Sequence, residues 1–227
     1  MRGGLVVSVQ APHGSPLASP GTMSAIARAA ELGGAVGIRA EGPADIAAIK
    51  DAVRVPVIGL VKRDMPGSAV RITPSLDDAR AVAGAGADAV AVDATLRMRP
   101  DGMTPHDFVA ALAAELEPPL LADVDSLDAA VAARAAGADA VATTLSGYTS
   151  HDRVLDGPDV ELVGRLAAEL DCPVFAEGRY STPEEVHAAF GAGAFAVVVG
   201  AAITDPTALT RRLAAGAAVP GSHGAPR

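Results

Sequence analysis

One feature constrains this chain more than any other: a short, largely apolar run that ends, in seven of eight cases, in a polar residue and is followed by a helix-forming stretch. The runs and their endings are Leu5–Val9 (Gln10), Ala35–Ile38 (Arg39), Val57–Val61 (Lys62), Ala89–Val92 (Asp93), Leu120–Ala122 (Asp123), Ala140–Ala142 (Thr143, Thr144), Val174–Ala176 (Glu177) and Phe195–Val199 (Gly200). Runs with no inside–outside alternation belong to strands buried on both faces. Helices are expected at Thr22–Leu32, Pro43–Ala52, Ser75–Ala85, Pro105–Leu116, Ser126–Ala136, Pro158–Leu170, Thr182–Phe190 and Asp205–Ala215. The phrases GAGADAVAV, RAAGADAVAT and GAGAFAVVV each join a glycine helix stop directly to the next strand. Eight such units predict a single-domain (β/α)₈ barrel over residues 1–215, followed by a Gly/Pro-rich, disordered tail from 216 to 227. A doubly wound open sheet is the alternative, but it calls for more polar edge strands.

Composition narrows the function. With 3% aromatic residues, the core must come from Ala, Val, Leu and Ile. A formal charge of −9 argues against nucleic-acid binding, which needs a basic face. No apolar run reaches the ~18 residues of a membrane span, and the start does not read as a signal peptide. The one cysteine, Cys172, fits a core filler in a reducing compartment, so a cytoplasmic location is expected.

In such barrels the reactive groups stand at the carboxyl ends of the strands. Lys62 attracts attention because the chain has 16 arginines and only two lysines, and only lysine can lose its proton when desolvated. The odd-numbered strands supply Gln10, Lys62, Asp123 and Glu177, and inward side chains of alternate strands form layers of four. The third and seventh strands lie across the ring, so Lys62 and Glu177 would approach a ligand from opposite sides. That is what inversion at a carbon requires. A Lys62–Glu177 salt bridge closing the mouth is the plainer alternative. EGR at Glu177–Arg179 and VGAA at Val199–Ala202 put glycine where this fold binds phosphate. The histidines (His13, His106, His151, His187, His223) have no metal-ligand spacing, and Asp123 with Asp125 lacks a histidine partner, so no metal site is expected. GAGADAV around Gly84 ends a helix, the wrong context for a dinucleotide motif. Tyr148 either closes over a substrate or packs its loop.

With these residues located, the chain resembles the N-acetylmannosamine-6-phosphate 2-epimerase family from Gly4 to about Leu213, through GLVVSVQAPHGSPL, GIRAEG, PVIGLVKRD, RITPS, AVDAT, LLADVDS, TTLSGYTS and AEGRYSTPEE. The resemblance implies a barrel that interconverts N-acetylmannosamine 6-phosphate and N-acetylglucosamine 6-phosphate in sialic acid breakdown, with no metal or organic cofactor. It implies Lys62 and Glu177 as acid and base, with Gln10, Arg39 and Asp123 holding the sugar. Thr144 and Tyr148 join them as substrate contacts. Phosphate is assigned to the loops carrying Gly178, Arg179, Gly200 and Ala201. The expected partner is a small sugar phosphate, and the resemblance and the apolar helices point to a homodimer. Two departures stand out. GAAITD replaces the family's GSAITR, so Ala201 lacks a hydroxyl and Asp205 would repel a phosphate dianion, with Arg179 or Arg211 left to compensate. The N-terminal helical extension of some relatives is missing, which predicts a less fully plugged barrel floor. A Schiff-base aldolase using Lys62 and a phosphosugar-binding barrel without turnover are the rival functions.

Overall fold

The computed structural model describes residues 1–12, 14–149 and 155–217. Its eight parallel strands close in sequence order: β1 (Leu5–Val9), β2 (Gly37–Glu41), β3 (Val57–Leu60), β4 (Ala89–Asp93), β5 (Leu120–Asp123), β6 (Ala140–Ala142), β7 (Val174–Glu177) and β8 (Ala196–Val199). β8 pairs back onto β1 through Leu5↔Val197 and Val6↔Val198, so no edge is left and the open-sheet alternative is excluded. Around them run α1 (Pro20–Leu32), α2 (Pro43–Ala52), α3 (Leu76–Gly84), α4 (Pro105–Glu115), α5 (Leu127–Ala135), α6 (Val160–Glu169), α7 (Pro183–Gly191), α8 (Ala201–Thr204) and α9 (Pro206–Ala217).

The helices begin where side chains take up their first free N–H groups. Ser75 accepts from Asp78, Ser126 from Ala129, and Thr182 with Glu185 forms a reciprocal capping box. They end in two ways. α1, α3, α5 and α7 close on glycine, whereas α2, α4 and α6 run out extended, with a proline within a few residues. Gly137 and Gly193 are fixed twice over. Their φ angles are +107° and +100°, and an added Cβ would lie 2.8 Å from Ala113 and Ala167 respectively.

Inside the barrel, Ile58, Leu60, Leu121, Phe175 and Val198 stack in one apolar cluster, separate from the larger layer between strands and helices. The floor is filled more fully than expected. Met1 packs into the interior cluster beside Gly37, Phe175 and Phe195 stack at 5.4 Å, and Arg2 lies over Phe195.

Three boundaries differ from expectation and bear on function. β2 begins at Gly37, not Ala35, because the Ala35 N–H closes α1 onto Ala30 O and Val36 bonds Leu5. Arg39 therefore sits in the middle of β2, and Glu41, not Arg39, ends it. β3 stops at Leu60, and Lys62 forms an isolated antiparallel bridge with Ile72. After β8 comes the unanticipated single turn α8, so the last helix starts at Pro206 and continues to Ala217, two residues into the expected tail. The rest of the tail, with His13, His151 and His223, lies outside the described residues.

Candidate active site

Period-two alternation sends Ser8, Arg39, Glu41, Lys62, Asp123, Thr144 and Glu177 toward the carboxyl-end mouth of the barrel. These residues form two connected groups. On one side, Arg39 grips Asp123 with both terminal nitrogens (Nη1–Oδ1 3.0 Å, Nη2–Oδ2 2.5 Å) and lies 2.9 Å from Glu177 Oε2. Thr144 reaches both carboxylates, donating to Asp123 Oδ1 at 2.6 Å and approaching Glu177 Oε2 at 3.2 Å. Thr143 fixes the Glu177 backbone, accepting from its N–H at 3.0 Å and donating to its carbonyl at 2.9 Å.

On the other side, Lys62 Nζ donates to Gln10 Oε1 at 2.5 Å and lies 3.9 Å from Glu41, while Gln10 donates to Ser8. Among the described residues, no ion pair joins Lys62 to Glu177, so the salt-bridge alternative is not what the mouth contains.

Two cavities open here. One of about 570 Å³ is lined by Lys62, Thr144, Tyr148, Glu177, the Gly178–Ser181 turn, Gly200 and Ala201, with Arg212 from α9. The other, about 780 Å³, contains Gln10, Glu41, Arg63, Arg71 and Asp205. They share Ser8, Lys62, Gly200 and Ala201, so Lys62 stands where the two meet.

The electrostatics separate the two groups. Burial pushes the Glu177 carboxyl above its usual range; Arg39 pulls it back and Asp123 pushes it further up. Desolvation draws Lys62 below the ordinary lysine value and the like charge of Arg39 adds to this, against the carboxylates of Glu41, Glu177 and Asp123. The sequence left open whether desolvation or nearby carboxylates would dominate at Lys62; although its side chain is 41% exposed, desolvation together with the Arg39 charge outweighs the carboxylates. Arg39 ends up raised, because Asp123 and Glu177 outweigh its own desolvation.

Most of the expected residues are brought together, with three adjustments. Arg39 and Asp123 are 1% and 0% exposed and line neither cavity, so they lie beneath the mouth. Arg179 has φ +62° and gives its guanidinium to Gly157 O and Ser146 O, stacked 4.7 Å over Tyr148. It ties the loop after β6 to the end of β7. Arg211 lines neither cavity, and Arg212 is the α9 cation that does. Sequence reasoning also passed over Ser8, Glu41 and Ser181. Two-residue spacing from Gln10 and Arg39 would have found the first two. No cluster of three or more His, Cys, Asp or Glu residues suited to a metal ion occurs among the described residues.

A family model described as putative N-acetylmannosamine-6-phosphate epimerase (NanE) matches residues 23–218. The chain belongs to the NanE family. A putative N-acetylmannosamine-6-phosphate 2-epimerase from Caldanaerobacter subterraneus subsp. tengcongensis is 48% identical over 214 residues, covering 93% of this chain and 90% of that protein. One from Klebsiella pneumoniae subsp. pneumoniae is 49% identical over 205 residues, 89% of this chain and 84% of its own. The solved N-acetylmannosamine-6-phosphate 2-epimerase of Clostridium perfringens superposes with a TM-score of 0.90 at 39% identity, covering 94% of this chain and 93% of that one. A geranylgeranylglyceryl phosphate synthase from Thermoplasma acidophilum, 22% identical over 92% of this chain and 89% of its own, shares the fold with a TM-score of 0.57. For this NanE family member, the family and the barrel implied by the sequence phrases agree.

Proposed function

We propose that this protein is a cofactor-independent isomerase that epimerises C2 of N-acetylmannosamine 6-phosphate to give N-acetylglucosamine 6-phosphate, serving amino-sugar and sialic acid catabolism. The observation that carries the reading is the pairing of Lys62 and Glu177. They line one cavity from strands that face each other across the barrel, and their pKa values are displaced toward one another.

In the open-chain sugar, C2–H lies beside the C1 aldehyde and is lost as an enolate forms. One group removes the proton from one face while the other supplies a proton to the opposite face. In the reverse direction the two exchange roles. A positioned general base contributes ~10²–10⁴-fold to such a step. Arg39 and Asp123 act from below, holding Glu177 and Thr144 in place, while Gln10 holds Lys62 and meets the sugar. The 6-phosphate belongs at Gly178, Arg179, Gly200 and Ala201, which line one cavity together with Arg212. Arg212 supplies charge that has no carboxylate partner among the described residues. We further expect a homodimer, since α9 buries no residue against its own barrel and leaves Leu213 71% exposed. We also place the protein in the cytoplasm; no helix among the described residues is long and apolar enough to cross a membrane.

The test is proton exchange at C2, followed by NMR in heavy water with each sugar phosphate and with unphosphorylated N-acetylmannosamine. Both phosphates should exchange C2–H and interconvert, and the neutral sugar should be a far poorer substrate. Equal turnover of the unphosphorylated sugar would remove the phosphate assignment. Because a desolvated lysine also suits imine chemistry, borohydride should be added with substrate. A covalent adduct on Lys62 would replace epimerisation by an aldolase-type reaction.

A further inference from the structure

Lys62 is not held by the barrel wall in the way the other mouth residues are. β3 and β4 pair only at Ile58↔Ala89 and Gly59↔Val90, and then diverge. The returning arm of the loop after β3 is wedged into the gap. Lys62 pairs with Ile72, Arg63 N donates to Arg71 O at 3.0 Å, and on the far side Asp93 N donates to Ile72 O at 3.1 Å.

Thr73 sits at the fork. It is fully buried and takes φ +44°, a left-handed conformation that is rare for a β-branched residue and persists only where the surroundings over-determine it. Those surroundings are explicit. Thr73 N donates to Val61 O at 2.7 Å, and Val61 N donates to Thr73 Oγ1 at 3.3 Å. The same hydroxyl donates to Ala91 O at 2.6 Å. Continuing the β3–β4 register, Val61 N–H would have met Ala91 O directly. The threonine hydroxyl is inserted into that rung. Its own carbonyl accepts from Arg99 Nη2 at 2.8 Å, and Arg99 is itself pinned by Asp93 O and the Phe108 ring.

We infer that Thr73 is the positioning residue for Lys62: by bridging the fork on both polar groups of Val61, it sets the direction in which the next residue enters the mouth. The inference rests on the catalytic reading of Lys62. The groups that then face Lys62 are Gln10 from the end of β1, Arg39 and Glu41 from β2, Asp123 from β5 and Glu177 from β7.

The chain contains only two lysines, so ¹³Cε-lysine labelling gives two resonances, and Lys50 serves as an internal control. Thr73→Val keeps the shape and removes the inserted rung. It should lower kcat by about a hundredfold, as misplacement of a reacting group does, with KM for N-acetylmannosamine 6-phosphate held within about twofold. The Lys62 titration should move up toward the ordinary lysine value while that of Lys50 stays put. Thr73→Ser, which retains the hydroxyl, should recover most of the rate. A folded Thr73→Val protein with unchanged kcat and an unmoved Lys62 resonance overturns the proposal, as does equal damage by Val and Ser. Should the valine variant not fold, Thr73→Gly suits the left-handed backbone and lacks the hydroxyl. Activity in the serine but not the glycine variant supports the proposal, and equal activity in both overturns it. If Lys62→Ala itself kept turnover, the catalytic reading would fail. The NMR titration would still decide whether Thr73 governs the surroundings of Lys62.

Discussion

The two sides of the barrel mouth solve the problem of placing charge by different means. On the β2–β5–β6–β7 side, Arg39, Asp123, Thr144 and Glu177 are locked into one another, and Arg39 and Asp123 are cut off from solvent. On the β1–β3 side, Lys62 keeps a 41% exposed side chain, a single short hydrogen bond to Gln10, and backbone support from an inserted loop. A carboxylate network of this kind needs rigidity, because a buried charge with a missing partner is costly. An amine that must change protonation state during turnover needs an environment that tolerates both forms. Under the proposed function the closed side is the scaffold for Glu177, and the open side carries the amine that exchanges the second proton.

The largest effect should come from removing either reactive group. Lys62→Ala and Glu177→Gln should each abolish net epimerisation, a loss of at least the ~10²–10⁴-fold that a positioned acid or base contributes. Each variant should still exchange the C2 proton of the one epimer whose hydrogen faces the surviving group, with opposite selectivity in the two. Loss of the same exchange in both would favour one base over two. In the native enzyme, kcat/KM should be bell-shaped. Glu177 is raised and Lys62 lowered, so the acid limb lies above about 4.3 and the alkaline limb below about 10.4. Glu177→Gln should remove the first limb and Lys62→Ala the second in whatever residual exchange remains.

Stability should divide the two sides next. Asp123→Asn takes from the buried Arg39 the carboxylate it grips with both terminal nitrogens, leaving Glu177 as its one remaining anion, and should cost about 3 kcal/mol, the low end of the penalty for breaking a buried ion pair. Lys62→Met should leave the melting temperature unchanged or raise it. The sign follows from the lowered pKa. Folding disfavours the charged lysine, so that cost is present below the folded pKa and vanishes above about 10.4, the unfolded value. Any gain from methionine should fade over the same range. Equal denaturant midpoints for the asparagine and methionine variants would erase the contrast between the two sides.

How much of this was legible in the sequence depended on whether the signal was periodic or geometric. The eight apolar runs and their glycine stops identify the barrel, since each unit repeats the same local physics. Lys62, Asp123, Thr144 and Glu177 followed from counting to the ends of those runs. Arg39 was placed at a strand end because Ala35 and Val36 look like strand, yet their N–H groups close α1 and pair with Leu5. That two-residue shift hid Glu41. Thr73 was not legible at all: nothing in RITPS announces a left-handed threonine inserted between diverging strands. Arg212 rather than Arg211 lines the cavity, a choice between neighbours that composition does not reveal.

Asp205 offers the smallest and most discriminating test, because the sequence assigned it a repulsive role and the fold gives it a capping one. Beside a phosphate its charge would oppose binding. In the fold it borders the cavity on the Lys62–Gln10 side and is missing from the lining of the one that holds Arg212. Its carboxylate accepts from Ala208 N at 3.0 Å and its carbonyl from Leu209 N, so it caps α9, with Pro206 in the first helical position. Asparagine caps about as well as aspartate and carries no charge, whereas alanine does neither. Asp205→Asn should leave the melting temperature and the KM for N-acetylmannosamine 6-phosphate nearly unchanged. Asp205→Ala should cost about 1 kcal/mol of stability, the usual value of a lost cap, with KM again steady. A severalfold fall in KM on neutralising the charge, with no change in stability, would mean that Asp205 does act on the anion. The phosphate would then have to lie nearer the Lys62–Gln10 side of the mouth than the Gly178–Arg212 lining indicates.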